Sequence, residues 1–449
     1  MSPSPIPVVS ARDALAGIWS DAGLDTRALR YARFSGAEPV LASSFALGTA
    51  LQAAIAACAL AAASLWQRRG GAWQTLSVGM GHVAAEAEAV YRSRPPEPTD
   101  RASGFYRCGD GAWVCVDAPD SSRRAALRTL LACDTGRDAL AAALARGNGV
   151  AIEARTMDHA GTLALLRRFA QWDVHEQALA LTAPVLALEK TGAAPPQRWQ
   201  PAARPLAGLR VLDLSDSGAG PCAARLLVAH GGDVIRFVGP DAAVASGSGT
   251  RGQRLCRLDV DSAAGRDVIA QLLPEADVLI APAALLATSS PLSSLLTARR
   301  GLIRATFSAY GEAGPWAALT ASETLVQAAT GFCHAEALAA GSSHPLTLPI
   351  NALEQLAGAL LGVSILAAQH RRLSEGGDWR VRVSLARTGM WLRRLGRTDG
   401  LSAVRASDAA TPTPMDSAQH HAAILATTPV AWEDVPADAG LLPTWRPTS

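Results

Sequence analysis

Two carboxylates, two arginines and a pair of glycines are the residues whose types and positions invite chemistry. Glu354 opens a long uncharged stretch, QLAGALLGVSILAAQ. Read as a helix, that stretch places the carboxylate at its N-terminus, where the macrodipole favours negative charge. Glu323 begins a second stretch of helical character, ETLVQAATG. Each of these two is either a working carboxylate or a plain helix-end charge. Arg251 and Arg254 stand in GTRGQR. Arginine is a bidentate phosphate donor, and a solvated basic turn is the other reading. Gly218 and Gly220 stand in SDSGAG. They permit close backbone approach to a ligand, or simply a tight strand-to-helix turn.

These residues are positioned by the elements between Pro205 and Pro240, PLAGLRVLDLSDSGAGPCAARLLVAHGGDVIRFVGP. Val211–Leu214 predict a strand and the small residues after it a turn. Ala223, Ala224, Leu226, Leu227 and Ala229 give an apolar helical face, and Val234–Phe237 a second strand. Pro221 suits the first position of that helix, and Gly231-Gly232 its end. Strand, glycine turn and helix N-terminus together make an anion site. The dinucleotide reading fails in detail. Ala223 occupies the third glycine position, and Val238-Gly239 stand where an acidic ribose partner belongs.

Composition narrows the rest. The chain has 449 residues, 49% hydrophobic and 18% charged, with a formal charge of +2. That is material for about three domains with a large core, and too neutral for a nucleic-acid binder. Seven cysteines, at 58, 108, 115, 133, 222, 256 and 333, include no C-x-x-C. They predict neither a disulfide framework nor zinc, and a reducing cytoplasm. The nine histidines show no metal spacing, His420-His421 included. No P-loop, H-E-x-x-H or G-x-S-x-G appears. The opening MSPSPIPVVSARDALAGIW lacks a basic region followed by an apolar core. Phe45–Trp66 carries no charge over 22 residues. It is mostly alanine rather than the Leu, Ile and Phe of a span, so a buried helix is predicted and no membrane.

Along the chain, a segment recurs. Residues 44–71, SFALGTALQAAIAACALAAASLWQRRGG, precede AWQTLSVGMGHVAAEA. Residues 354–377, EQLAGALLGVSILAAQHRRLSEGG, precede DWRVRVSLARTGMWL. Gly48 matches Gly358, and Ser44 falls on Glu354. The shared order is helix, basic end, Gly-Gly turn, strand, helix, a partial duplication. Gly104–Asp117 predicts a hairpin. Residues 121–146 and 160–180 carry helical periodicity, and Thr182–Gln200 reads as a linker. Ala263–Leu273 predicts a helix and Asp277–Ile280 a strand, continuing the α/β alternation. The tail from residue 396 is polar and predicted to be loosely ordered.

The words of the second half resemble the class III coenzyme A transferases, the group of formyl-CoA transferase and the CaiB/BaiF proteins. PLAGLRVLDLSDSGAGPCAARLLVAHGGDVIRF is similar to their opening. GTRGQRLCRLDVDSAAGRDVIAQLLPEADVLI, LIRATFSAYGEAGP and SETLVQAATG resemble later family segments in the same order. Residues 41–200 resemble the latter part of such a transferase, and 205–395 its first part. The organisation is therefore read as 1–200, 205–395 and a tail of 396–449. The fold is read as α/β, a Rossmann-like parallel sheet with a smaller α+β domain.

The resemblance implies a function and roles. Glu354 falls on the family's catalytic Asp, the nucleophile that attacks an acyl-CoA thioester; here it is one methylene longer. Glu323 falls where the family has an acidic residue beside the active site, to position the acyl group or stay ionised. Arg251 and Arg254 match basic positions implied to hold CoA phosphates, with Gln253 replacing the Lys between them, and Gly218 and Gly220 flank the same ligand. Coenzyme A or acyl-CoA is then a substrate, a carboxylic acid its partner, and no permanent cofactor or metal is implied. Ser322 replaces the His proton carrier of the racemase branch, which argues against racemisation. The family's E-N-F-R-P-G is replaced by Ala281-Pro282-Ala283-Ala284, so a catalytically degenerate binder of acyl-CoA or of a partner subunit is the alternative. The resemblance and the unpartnered apolar helices also predict a homodimer.

Overall fold

Val211 and Leu212 pack into different cores, as do Val234 and Ile235, and Val278 and Leu279. This is the period-two signature of strands buried on both faces. The computed structural model describes residues 7–94, 102–156, 161–197, 199–240, 242, 249–287, 292–297, 299–401 and 445. In chain order its strands are β1 (Ala32–Ser35), β2 (Leu76–Gly79), β3 (Gly104–Arg107), β4 (Trp113–Val116), β5 (Leu163–Leu165) and β6 (Ala187–Gly192). They continue as β7 (Arg210–Asp213), β8 (Asp233–Val238), β9 (Arg254–Arg257), β10 (Val278–Pro282), β11 (Ile303–Ser308) and β12 (Asp378–Ser384).

One seven-stranded sheet organises the molecule, in the order β6-β12-β11-β10-β7-β8-β9. All neighbours run parallel except β6, which lies antiparallel to β12. The α/β class follows, with a mostly parallel sheet. From β7 the chain moves outward one way to β8 and β9, then the other way to β10, β11 and β12. The switch point lies between β7 and β10, and crevices at such points, beyond the strands' carboxyl ends, are where open α/β sheets hold ligands.

The expected β-α-β unit is present as β7, the Ala219–Ala229 helix and β8. Two expectations are corrected. Residues 182–200, expected as a linker, contain β6, which closes the sheet's edge. The periodic stretch 160–180 holds β5 and two five-residue helices, Phe169–Asp173 and Glu176–Ala180. An apolar run as short as Leu163-Ala164-Leu165 carries too few residues to fix a period. Its pairing with β4 decides it, adding a third strand to the β3–β4 hairpin.

The duplicated order is visible. The Leu47–Arg68 helix leads to β2 and the Met80–Arg92 helix; the Ala352–Glu375 helix leads to β12 and the Leu385–Arg394 helix. β12 enters the large sheet, whereas β2 pairs with β1 in a separate parallel pair. The two long helices pack on each other, and the Ala352–Glu375 helix also packs on Ala219–Ala229. Both are long and apolar enough to cross a membrane by length and composition, and both are mostly buried inside the protein. The apolar face that motivated the homodimer expectation is thus covered within the same chain. The tail expected to be loosely ordered lies, from residue 402, outside the described residues, Trp445 excepted.

Candidate functional site

Two glycines set the geometry. A Cβ on Gly358 would meet Cys222, the Ala219 carbonyl oxygen at 2.7 Å and the Ala223 nitrogen at 3.1 Å. One turn further on, Gly362 faces Leu226. The two helices therefore run side by side in the same direction, and both N-termini point to the carboxyl rim of the sheet. Glu354 lies one turn before Gly358, about 6 Å along the axis toward the Gly218 turn. Two positive helix ends converge on its carboxylate.

The entry to this helix is strained. Ile350 has φ +59° and Asn351 φ +49°. A β-branched residue in the left-handed region is an outlier that costs on the order of 1–3 kcal/mol. Several bonds hold it. Gln355 Nε2 donates to the Ile350 carbonyl at 2.7 Å and to Ala87 of the Met80–Arg92 helix at 3.0 Å. Glu323 accepts the Leu353 N–H at 3.0 Å, the Glu354 N–H at 2.8 Å and the Gln327 amide at 2.5 Å. Its carboxyl is fully buried, so desolvation, then the Glu354 charge, hold it well above the ordinary carboxylate range.

Glu354 itself is buried, with its Oε2 ion-paired to Arg94 Nη2 at 2.5 Å and accepting a long hydrogen bond from Asn351 Nδ2 at 3.5 Å. Burial lowers the Arg94 guanidinium, but the charge and hydrogen bond of Glu354, together with Cys222 and Glu323, outweigh it and leave the net shift upward. Arg94 was not foreseen. It stands 260 residues from Glu354, just past the end of the Met80–Arg92 helix, and no motif marks it. Arg225 Nη1 pairs with Glu86 Oε1 at 2.6 Å, tying that same helix to Ala219–Ala229.

The structure brings Glu354 and Glu323 together. Glu323 engages both oxygens with N–H groups of the helix that carries Glu354. Gly218 has φ +83° beside the Phe307 ring. At Gly220 a Cβ would collide with Ser215 Oγ and come within 3.0 Å of Phe307, so packing alone requires this glycine. Arg254 Nη2 is engaged by Asp233 at 2.6 Å, whereas Arg251 is half-buried in the turn before β9.

The turn after β7 is pinned from below. Asp213 takes the Ser215 N–H at 3.1 Å and the Ser215 hydroxyl, while Arg236 donates to the carbonyls of Ser215 at 2.9 Å and Asp216 at 2.6 Å. Burial pushes the Asp213 carboxyl up to about 6. In the first copy, Ser44 occupies the position of Glu354, and its N–H and hydroxyl hold Glu336 at 3.0 and 2.6 Å. The notch at Gly48 is filled by Val40 and Met80. Among the described residues no cluster of side chains has metal-holding geometry.

The model of CoA-transferase family III matches residues 206–424. The acetyl-coenzyme A transferase nodX of Hypoxylon pulicicidum is 29% identical over 203 residues, 42% of this chain and 34% of that protein. The formyl-CoA:oxalate CoA-transferase of Streptomyces coelicolor is 26% identical over 205 residues, 41% of this chain and 48% of that protein. The chain thus spans from a third to half of the length of these curated relatives. Among solved structures, a hypothetical protein of Mycobacterium tuberculosis covers 47% of this chain and 61% of its own, at 23% identity and TM-score 0.35. A CaiB/BaiF family protein from Brucella suis covers 48% and 61%, at 20% identity and TM-score 0.36. The likeness to CoA-transferase family III thus lies in the second half of the chain, over residues 206–424.

Proposed function

We propose that this chain moves coenzyme A between carboxylic acids, with Glu354 as the covalent nucleophile. The observation that carries the reading is one buried carboxylate at two converging helix N-termini, paired with Arg94 and backed by a capped, strained helix entry. The Glu354 carboxylate attacks the thioester carbonyl of the donor acyl-CoA. CoA thiolate leaves, and a mixed anhydride forms. The thiolate then attacks the Glu354 carbonyl, releasing the donor acid and leaving a γ-glutamyl-CoA thioester. The acceptor carboxylate attacks that thioester, expelling thiolate and forming a second anhydride. Thiolate attack on the acceptor's carbonyl completes the exchange and regenerates Glu354. Each step replaces a hard transfer by an easier one. Arg94 offers a fixed cation beside the oxygens on which charge develops, and Arg251 is the basic side chain best kept for a CoA phosphate.

A second reading, a non-catalytic acyl-CoA binder, draws on the Arg254–Asp233 pair, which withdraws one expected phosphate ligand. Racemisation has no support, because Ser322 supplies no second base. The deciding experiment incubates the protein with a panel of acyl-CoA donors and hydroxylamine, then maps adducts by mass spectrometry. Catalysis predicts a hydroxamate on Glu354 that disappears in Glu354→Gln. Binding of acyl-CoA without any adduct at Glu354 rejects catalysis in favour of the binder.

A further inference from the structure

Away from Glu354, a cleft of about 190 Å3 opens at the carboxyl ends of β11 and β12, beneath the loop that leads into β6. Arg94, Asn351 and Glu323, the partners of Glu354, do not line it. Its walls are apolar: Leu181, Pro184 and Val185 from the loop, and Val383 from β12. Its volume falls below the roughly 300–1,000 Å3 of pockets for drug-sized ligands. A nucleotide is too large for it, and a short aliphatic chain is not.

The polar groups at its mouth are mainly donors. Arg382 and Arg387 both line it. The one acid in the lining, Glu312, is neutralised by Arg380 and takes the Thr306 hydroxyl at 2.6 Å. Arg382 is ion-paired with the exposed Glu189 at 3.2 Å, a solvated pair that an arriving anion can share. The charges that act on Arg387 are Arg394, which repels it, and Asp21, which attracts it. Burial and then Arg394 pull its guanidinium below the ordinary range. A cation left short of negative charge gains from an arriving anion. Ser308 Oγ accepts the Gly311 N–H at 3.1 Å, and Ser384 Oγ accepts the Arg387 N–H at 3.2 Å. With an oxygen lone pair used in each case, the hydroxyl proton is the group left to turn toward a ligand.

We propose that this cleft is a binding site for a short-chain aliphatic monocarboxylate, its head group between Arg387 and Arg382 and its tail against Leu181, Pro184 and Val185. The geometry is independent of what Glu354 does. The test is calorimetric titration of the full-length protein with sodium butyrate, with 1-butanol as the uncharged counterpart. Butyrate should bind at least about tenfold more tightly than butanol, and Arg387→Met should weaken it by at least about tenfold, the value of a hydrogen bond to a charged group. Glu354→Gln should leave butyrate affinity unchanged. Equal affinities for the acid and the alcohol, or wild-type affinity in Arg387→Met, would overturn the proposal. So would loss of binding in Glu354→Gln, which would move the anion to the other site. Phenylglyoxal modification of the wild-type protein needs no variant. Butyrate should protect Arg387 in the peptide map, and an unchanged modification rate would reject the site.

Discussion

Replacing Gly358 by alanine tests the account of how Glu354 is aimed. The added methyl would lie 2.7 Å from the Ala219 oxygen and 3.1 Å from the Ala223 nitrogen, and would overlap Cys222 Cβ more closely still. Two of these are backbone atoms and the third is a Cβ fixed by the backbone, so none can rotate away. A carbon keeps about 3.3 Å from a carbonyl oxygen at closest, so the helices must separate by at least about 0.6 Å at this crossing. Overpacking of this kind costs typically about 1–3 kcal/mol. The gain from replacing glycine within a helix, about 1 kcal/mol, offsets only part of it. A net loss of up to about 2 kcal/mol is expected. Gly362→Ala is the internal control, because its methyl meets only side-chain atoms, Cys58 Sγ at 3.3 Å and Leu226 Cδ1 at 3.9 Å. That change should be neutral or stabilise by up to about 1 kcal/mol. Glu354 sits one turn from the Gly358 crossing. A misplacement near 1 Å costs on the order of a hundredfold in rate, so hydroxamate formation in Gly358→Ala should fall by more than tenfold while Gly362→Ala retains it. Urea denaturation and the trapping assay read the two effects. Equal stability of the two variants, or an undiminished rate in Gly358→Ala, would refute the close-crossing argument.

Other outcomes follow from the buried charges. Glu323→Ala strips acceptors from the Leu353 and Glu354 N–H groups, at about 1–3 kcal/mol for each left unmade; Glu323→Gln keeps one carbonyl and should lose markedly less in the urea midpoint, whereas equal losses would show that charge alone matters. Asp213 is raised from an ordinary 3.8 to about 6 by burial, so its folded form holds the proton more tightly than the unfolded one. Its contribution to stability is full below pH 3.8 and is lost as pH rises through about 6, on the order of 3 kcal/mol in all. His370 is lowered from 6.5 to about 4 by burial, and Nε2 lies 3.3 Å from the Ala61 oxygen. Its contribution is full above pH 6.5 and is lost as pH falls toward 4. Urea midpoints across this range should flatten in opposite senses in Asp213→Asn and His370→Gln.

Much of the sheet was legible because its strands are buried on both faces and separated by turn residues. The β-α-β unit from Arg210 to Val238 appears within a residue or two of its expected bounds, since Gly218 and Gly231 punctuate it. The edges were not legible. β6, in a stretch ending Ala-Ala-Pro-Pro, borrows its conformation from β12, and β5 from β4. Partners supplied by tertiary pairing leave little trace in a local window. The site divides in the same way. Glu354 could be named because it stands in the first turn of an apolar helix and falls on the resembled family's catalytic Asp, and Glu323 because it falls on that family's acidic position. Arg94 could not, because its meaning lies wholly in a contact across the fold. Gly220 was visible as a glycine, yet its reason, the approach of Ser215 and Phe307, is a packing fact that spacing does not carry.

The two copies present different residues near the starts of their long helices. Glu323 holds the Leu353 and Glu354 N–H groups in the first turn of the Ala352–Glu375 helix, whereas Glu336 holds the Ser44 N–H before the Leu47–Arg68 helix begins, and that helix gives its Thr49 N–H to Glu38. An acid serves each helix entry, by a different arrangement, and the residue presented there differs. At Ser44 the side chain turns back to its own cap, and Val40 and Met80 fill the adjoining notch, so that end is closed by packing. At Glu354 the carboxylate projects to Arg94, a residue the first copy provides. Each copy supplies what the other lacks: the second carries the carboxylate, the first carries its counter-ion and, through Gln355 and Ala87, a brace for the strained turn that aims it.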